Sequence, residues 1–330
     1  MPGPWLGQLR RQARAESVGS SVSIEGFSVD GELEVALASG DTPPDPTDDD
    51  QLAVADYGRA MDRVGTLGID PCFSWSERLI KDLHFDVCAF QRDRSPGLWR
   101  TGPISVTGFG RDAPPAYVGP DGDDVPRLMG EVVRWLNEGD LDAHVAVRAA
   151  MAHLHVVSVH PFRDGNGRIS RIVQSLVLAR EGLLLPELGS IEEHLGRHTG
   201  DYHRVLQQVQ GGRYRPERDA GPWVRFCVAA HVEQARRRLD QVAQAAARWA
   251  ALERLVGERG WPDRLVVALE QSLFEGVDRA GYAREAVVSL PTATNDLRRL
   301  IDARLVVSEG QTRNRRYRAS EALRKAVAAG

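Results

Sequence analysis

Cysteine is scarce in this 330-residue chain: Cys72, Cys88 and Cys227 are the only three, and none stands in a CxxC pair. Such spacing excludes a disulfide framework and a cysteine zinc site, and makes a reducing, cytoplasmic setting the expected one. Long apolar runs are also missing. No segment reaches the length of a membrane span, and Arg10, Arg11 and Arg14 near the N-terminus have no apolar run behind them, unlike a signal peptide. An overall excess of positive charge is absent as well. The formal net charge is −4, which excludes a polycation built for nucleic acid or anionic membrane and confines any basic surface to a local patch. No internal repeat is visible.

What is present is ordinary soluble-protein composition, 42% hydrophobic and 27% charged, in a chain long enough for two or three units. Residues 41–50, DTPPDPTDDD, read as an extended linker that sets off an N-terminal segment, 1–40. Residues 51–234 read as one mainly helical body, with apolar positions at three- and four-residue spacing in 51–64, 72–90, 123–138, 142–158 and 168–181. Within it, residues 95–120 hold five glycines and five prolines around two short β-leaning stretches. They predict a hairpin, or flap, at about 104–118. Residues 223–256 lack both proline and glycine and predict a long helix connecting domains across about 235–260. That helix reads equally as a spacer or homodimer helix, or as one packed on its own domain. Helices at 264–275 and 283–289, then a helix capped by Thr292 with Leu297, Leu300 and Ile301 buried, then a two-stranded wing over 305–320, predict a winged helix-turn-helix across 261–330.

One stretch carries chemistry: His160-Pro161-Phe162-Arg163-Asp164-Gly165-Asn166-Gly167-Arg168, with Arg171 one turn further on. Pro161 stops the preceding helix. Gly165, Asn166 and Gly167 tolerate left-handed backbone angles, so that successive N–H groups turn inward as an anion nest. The N-terminus of the next helix points at the same place. Arg168 and Arg171 are spaced to reach an anion there. Asp164 stands where it can hold Mg²⁺ between phosphates, and His160 where it can take a proton from an attacking hydroxyl. A metal site built from His153, His155 and His160 is disfavoured, because residues two apart on a helix face different sides.

The same residues resemble the Fic family signature HxFx(D/E)GNGRxxR, with all eight fixed positions matched. The resemblance implies a mainly α Fic-type core with a β-hairpin flap and the transfer of AMP from ATP to a Ser, Thr or Tyr hydroxyl of a protein, or of the chain itself. In that reading His160 is the general base, Asp164 the Mg²⁺ ligand, and Gly165, Asn166 and Gly167 the anion hole. Arg168 clamps phosphate and Arg171 meets the γ-phosphate. Gly97-Leu98-Trp99-Arg100 resembles the segment before the family's flap, whose edge docks the target protein by strand addition. Asp201-Tyr202-His203 resembles a nucleotide-lining (D/E)YY segment with histidine for the second tyrosine, which brings Tyr202 into the site.

Ser21 through Gly26 also fit the family's inhibitory pattern (S/T)xxxE(G/N). The resemblance implies that Glu25 pairs with Arg171 and displaces the productive pose of ATP, and it leaves removal of AMP from the target open. Residues 291–330 hold nine Lys/Arg against four Asp/Glu, a local +5 that includes Arg313, Arg315, Arg316 and Arg318 on the predicted wing. DNA is therefore an expected partner of this module, with plain protein contact the other reading. Three functional readings follow. The leading one is a self-inhibited adenylyltransferase. The second is a DNA-binding regulator whose Fic fold senses nucleotide without catalysis. The third keeps the fold but transfers UMP or a phosphoryl group.

Overall fold

The computed structural model describes residues 5–29, 31, 48–107, 114–182, 186–274, 276–310 and 315–328. The proline-rich stretch 41–47, the middle of the flap and Arg313 lie outside them. The chain divides into two compact units, Gln12–Arg237 and Met1–Arg11 with Arg238–Gly330. The described residues are mainly helical.

The larger unit is built on α5 (Val145–Val159) and α6 (Asn166–Arg180). Apart from Gly167 and Arg180, every residue of α6 is buried. A helix covered all round must satisfy its polar side chains inside the protein. Ser170 does so by donating to the Asn166 carbonyl at 2.7 Å, while Ile169, Ile172, Val173, Leu176 and Val177 fill the core. Around this pair pack α2 (Asp49–Gly68), α3 (Glu77–Cys88) and α4 (Val125–Glu138). Val125, Leu128, Met129, Val132 and Leu136 form the buried stripe of α4, the three- and four-residue spacing of an amphipathic helix. The helix expected over 72–90 begins only at Glu77, because Ser76 caps it by accepting from the Leu79 N–H at 3.1 Å.

α1 (Trp5–Ser23) buries Ala15, Val18 and Val22 in the same core. It ends in a Schellman turn: Phe27 N–H reaches the Val22 carbonyl at 3.3 Å, and Gly26 N–H the Ser23 carbonyl at 3.0 Å. Gly26 takes the left-handed position, φ 91°. The flap appears as β1 (Ser105–Val106) antiparallel to β2 (Tyr117–Val118), with Ser105 opposite Val118. Val118 spends its N–H on Gly212 and its carbonyl on Tyr214, so β2 is bonded on its far side. Three elements follow that the sequence pattern did not delimit: α7 (Pro186–Gly189), α8 (Glu192–Arg197) and α9 (Thr199–Gln210). The long helix α10 (Gly221–Gly257) covers the 223–256 stretch that lacks proline and glycine.

The smaller unit contains α11 (Leu265–Ser272), α12 (Arg279–Glu285) and α13 (Leu290–Asp302). An antiparallel hairpin follows, β3 (Val306–Glu309) with β4 (Arg316–Ala319), and then α14 (Glu321–Ala328). Val277 and Tyr317 exchange N–H···O bonds of 2.9 and 2.8 Å and extend the hairpin by one rung. The helix expected at 283–289 lies at 279–285, capped by Asp278 through the N–H groups of Ala280 and Gly281. The α13 cap is Ser289, not Thr292, which places Pro291 in the first turn where no helical N–H is lost. Leu297 and Leu300 are buried as expected, but Ile301 is exposed. Asp296 takes the inner face instead, held by Arg264 at 2.7 and 3.0 Å and by the Tyr282 hydroxyl at 3.0 Å.

Candidate active site

The turn from α5 to α6 is sharp because two left-handed residues bracket it. His160 closes α5 at φ 51°, and Gly165 precedes α6 at φ 71°. A Cβ at Gly165 would collide with Cys88 Sγ, so only glycine fits. Asn166 closes the loop internally. Its Oδ1 accepts from the Phe162 N–H at 3.0 Å and its Nδ2 donates to the Phe162 carbonyl at 2.9 Å. The Asn166 side chain is thus committed to the loop itself. Phe162 is fully buried, stacked on His84 with ring centroids 3.5 Å apart.

Two residues outside the loop hold its shape. Arg100 donates from Nε to the His160 carbonyl at 2.7 Å, from Nη1 to Gly102 at 2.7 Å and from Nη2 to Pro120 at 2.7 Å, while its backbone N–H reaches Pro161 at 2.9 Å. His84 accepts the Gly97 N–H on Nδ1 at 2.9 Å, so its proton sits on Nε2 and is donated to the Asp164 carbonyl at 2.9 Å. Burial pushes the His84 imidazole down to about 4, which keeps it neutral in this bridging role. The sequence pattern includes Arg100 but gives it no task, and it does not include His84. The signal for His84 was a histidine on the buried face of an amphipathic helix.

His160, Arg163, Asp164, Gly165, Asn166 and Gly167 line one side of a cleft of about 690 Å³, and Thr199, Tyr202, His203 and Leu206 of α9 line the other. The flap residues Ser105, Val106 and Tyr117 form its rim, and Glu25 closes one end. His160 Nδ1 lies 3.0 Å from the Val157 carbonyl. That contact places the proton on Nδ1 and leaves the Nε2 lone pair unspent. Burial lowers the imidazole's affinity for a second proton. Asp164 is 40% exposed. Its Oδ1 accepts from the Gly165 N–H at 2.6 Å and its Oδ2 from Gln91 at 3.0 Å, and unused lone pairs remain on both oxygens.

The two arginines diverge. Arg168, 1% exposed, donates to the Val87 carbonyl at 3.0 Å and to Gln91 Oε1 at 2.7 Å, between the rings of Phe27 and Phe90. It therefore serves the last turn of α3 and does not line the cleft. Arg171, also 1% exposed, is met by α1. It donates from Nε to Ser21 Oγ at 2.6 Å and from Nη2 to the Ser21 carbonyl at 2.9 Å and to Glu25 Oε1 at 2.8 Å. Its Nη1 is buried without a hydrogen-bond partner, beside Gly167. Burial works against the charge of Glu25, but Arg171, with a further share from Arg168, outweighs it and holds the carboxyl below its usual range. A Cβ on Gly167 would strike Glu25 Oε1, so the carboxylate lies directly over the first turn of α6. An anion thus already stands at the helix N-terminus, the place where a phosphate is favoured.

Tyr202 donates its hydroxyl to His153 Nε2 at 3.1 Å, and His153 Nδ1 is satisfied by Gln174 at 2.7 Å. Burial holds His153 neutral, down to about 3. His155 packs on Trp135. The three histidines 153, 155 and 160 therefore face different surroundings.

Residues 74–178, which contain the loop and both arginines but neither Glu25 nor Tyr202, match the Fic/DOC family. A protein adenylyltransferase Fic from Culex quinquefasciatus is 38% identical over 101 residues, 30% of this chain and 19% of that protein. The chain thus spans about a fifth of the length of the curated relatives it matches. Among solved structures, a Fic family protein from Desulfovibrio desulfuricans G20 superposes with a TM-score of 0.59 at 21% identity, covering 95% of this chain and 88% of that one. A Fic domain containing signaling protein from Bacteroides thetaiotaomicron VPI-5482 gives 0.60 at 19% identity, with 72% and 91% covered. These two share the fold.

Proposed function

We propose, from the match of residues 74–178 to the Fic/DOC family, that the chain is a self-inhibited protein adenylyltransferase. The observation that carries the reading is His160, whose Nδ1 faces the Val157 carbonyl so that a free Nε2 stands in the cleft beside the glycine loop. A hydroxyl of the target, or of the chain itself, gives its proton to Nε2. Its oxygen attacks the α-phosphorus of ATP in line, the new P–O bond forms, and the bond to the β-phosphate oxygen breaks to release pyrophosphate. The backbone N–H groups at the start of α6 and the unpartnered Nη1 of Arg171 are donors suited to the phosphate charge. Tyr202, with the rest of the α9 wall, bounds the other side of the nucleotide space.

The residues present fit Mg²⁺. Asp164 offers a hard oxygen ligand at the cleft with its carboxylate only partly engaged, and one carboxylate plus phosphate oxygens and water is a common Mg²⁺ shell. When bound there, the ion supplies charge neutralisation at the phosphates. In this reading an extended target segment adds to the flap rim beside the cleft, with β1 as the receiving edge, a docking that the β1–β2 pairing supports.

Glu25 is the brake in this reading. Its carboxylate occupies the anion position at α6 and takes up Nη2 of Arg171. The test is transfer of labelled AMP to the chain itself. Glu25→Gly should raise auto-modification at least about tenfold, the effect of freeing a site worth about 1.4 kcal/mol, and adding His160→Ala should abolish it. Equal labelling of the wild type and the Glu25 variant removes the brake. Labelling from UTP in place of ATP shifts the reading to UMP transfer.

A second reading, a DNA-binding regulator that senses nucleotide, is favoured by the smaller unit. Arg298 and Arg299 on α13 and Arg315 and Arg316 at the hairpin are exposed. We place DNA contact there as an added property of the enzyme, since sensing alone gives no use for the free Nε2 of His160.

A further inference from the structure

Away from the cleft, two histidines and a glutamate converge on the surface of the larger unit. His194 lies in α8 and His198 follows its last residue, four positions on, so both imidazoles project to one side, with ring centroids 4.4 Å apart. Glu233 of α10 brings its Oε2 to 3.5 Å from His194 Nδ1. One ligand atom from each of the three lies within 4.8 Å of the other two. Around a tetrahedral ion with bonds of about 2.0–2.1 Å, ligand atoms stand about 3.3–3.4 Å apart. The His194–Glu233 separation already meets that spacing. His198 and Glu233 are both exposed, so a side-chain rotation brings the third donor in.

The backbone beneath is fixed without an ion. Buried Glu193 pairs with Arg197 at 2.8 Å and with Arg237 at 2.6 Å, and accepts from Gln234 at 2.7 Å, which clamps α8 to α10. On its other side α8 reaches α1 and α2. Glu192 accepts from the Tyr57 hydroxyl at 2.5 Å and from Ser17, and the bare Cα of Gly196 admits Ser20, which a Cβ would crowd at 2.8 Å. Two imidazole nitrogens and one carboxylate oxygen form a mixed donor set. It suits Zn²⁺ and related ions and is poor in the oxygen ligands that Ca²⁺ and Mg²⁺ require.

We propose that His194, His198 and Glu233 bind a divalent transition ion of the zinc class, with water completing its shell, and that the ion staples α8 to α10. His198 directly precedes the first turn of α9, where Thr199, Gly200, Tyr202 and His203 line the cleft. The staple therefore braces the wall opposite the glycine loop.

The test uses the full chain, stripped with a chelator and titrated with Zn²⁺ against a chromophoric competitor, then with Co²⁺, whose visible spectrum reports tetrahedral ligation. His198→Ala and Glu233→Gln alter exposed side chains, and far-UV circular dichroism checks that the fold is kept. The expected result is one equivalent of tightly held Zn²⁺, with each substitution weakening it by at least about 100-fold. A wild-type chain that takes up no Zn²⁺ overturns the proposal. So does uptake that either variant leaves intact, since the metal is then held elsewhere, as at Asp164 or the exposed Cys72.

Discussion

At the scale of single residues, the proposed chemistry rests on which nitrogen of which histidine is free. His84 and His160 are both held neutral by burial, yet only His84 has both ring nitrogens spent on the backbone. His160 keeps Nε2 for work. The sign of its shift makes a prediction. A base whose affinity for protons is lowered stays unprotonated to lower pH, so the acid limb of the rate moves below the ordinary imidazole value of 6.5. In a Glu25→Gly chain, AMP transfer should hold steady as pH is lowered through that value and fall only beneath it. A half-loss at or above it would show that burial does not set this group. The motif itself was legible because its chemistry is local: a proline, two glycines and an asparagine dictate the turn whatever surrounds them. The destination of Arg168 was not legible. Nothing in the spacing of Arg168 and Arg171 tells which guanidinium turns back to a carbonyl on α3 and which stays beside the loop. That choice is made by Val87 and Gln91, some eighty positions upstream.

Among the elements, α1 is the one the proposed brake depends on. The glycine of the SSVSIEG stretch matters because it takes the left-handed C′ position, which turns the chain and leaves Glu25 at the helix end facing Arg171. Along its length the helix is tied by Arg14 to Asp62 and to the Gly58 carbonyl, by Ser17 to Glu192, and by Ser21 to Arg171. Gly26 has open space where a Cβ would go, so Gly26→Ala meets no clash and costs only backbone strain, about 1 kcal/mol. Auto-modification of that variant should fall between those of the wild type and Glu25→Gly, and urea denaturation should show only a small loss of stability. Wild-type activity would mean that the turn does not position the carboxylate. The pattern was readable in sequence, while its anchoring was not. Glu192 and Ser190, which receive Ser17, sit in a stretch whose helices α7 and α8 are only four and six residues long, too short to show a periodic stripe, and the same stretch hid His194 and His198, which meet Glu233 of α10.

For the whole molecule, charge is unevenly placed: −4 for the chain against +5 over residues 291–330. Part of that excess is already paired, as Arg318 with Glu309 at 2.8 Å and Lys325 with Glu321 at 2.7 Å. Exposed Arg298 and Arg299 on α13 and Arg315 at the hairpin predict weak-to-moderate duplex binding that falls steeply between low and moderate salt. Retention of duplex DNA on the full chain across a salt series measures it, and no retention at low salt would leave this unit to protein contact. Fold class was readable at this scale because helix periodicity and the glycine- and proline-rich flap are strong signals. The division of the chain was less so, since the long helix α10 carries no glycine or proline between Trp223 and Val256 to mark where one unit stops.

The contact between Glu25 and Arg171 joins residues 146 positions apart. A ribosome makes them in that order. The braking helix is already outside when the arginine and its loop emerge, so a newborn chain can close the latch as its cleft forms, and in the proposed reading there is no interval in which an unrestrained transferase is loose among nascent proteins. Were the same helix placed after the loop, every molecule would pass through an active youth.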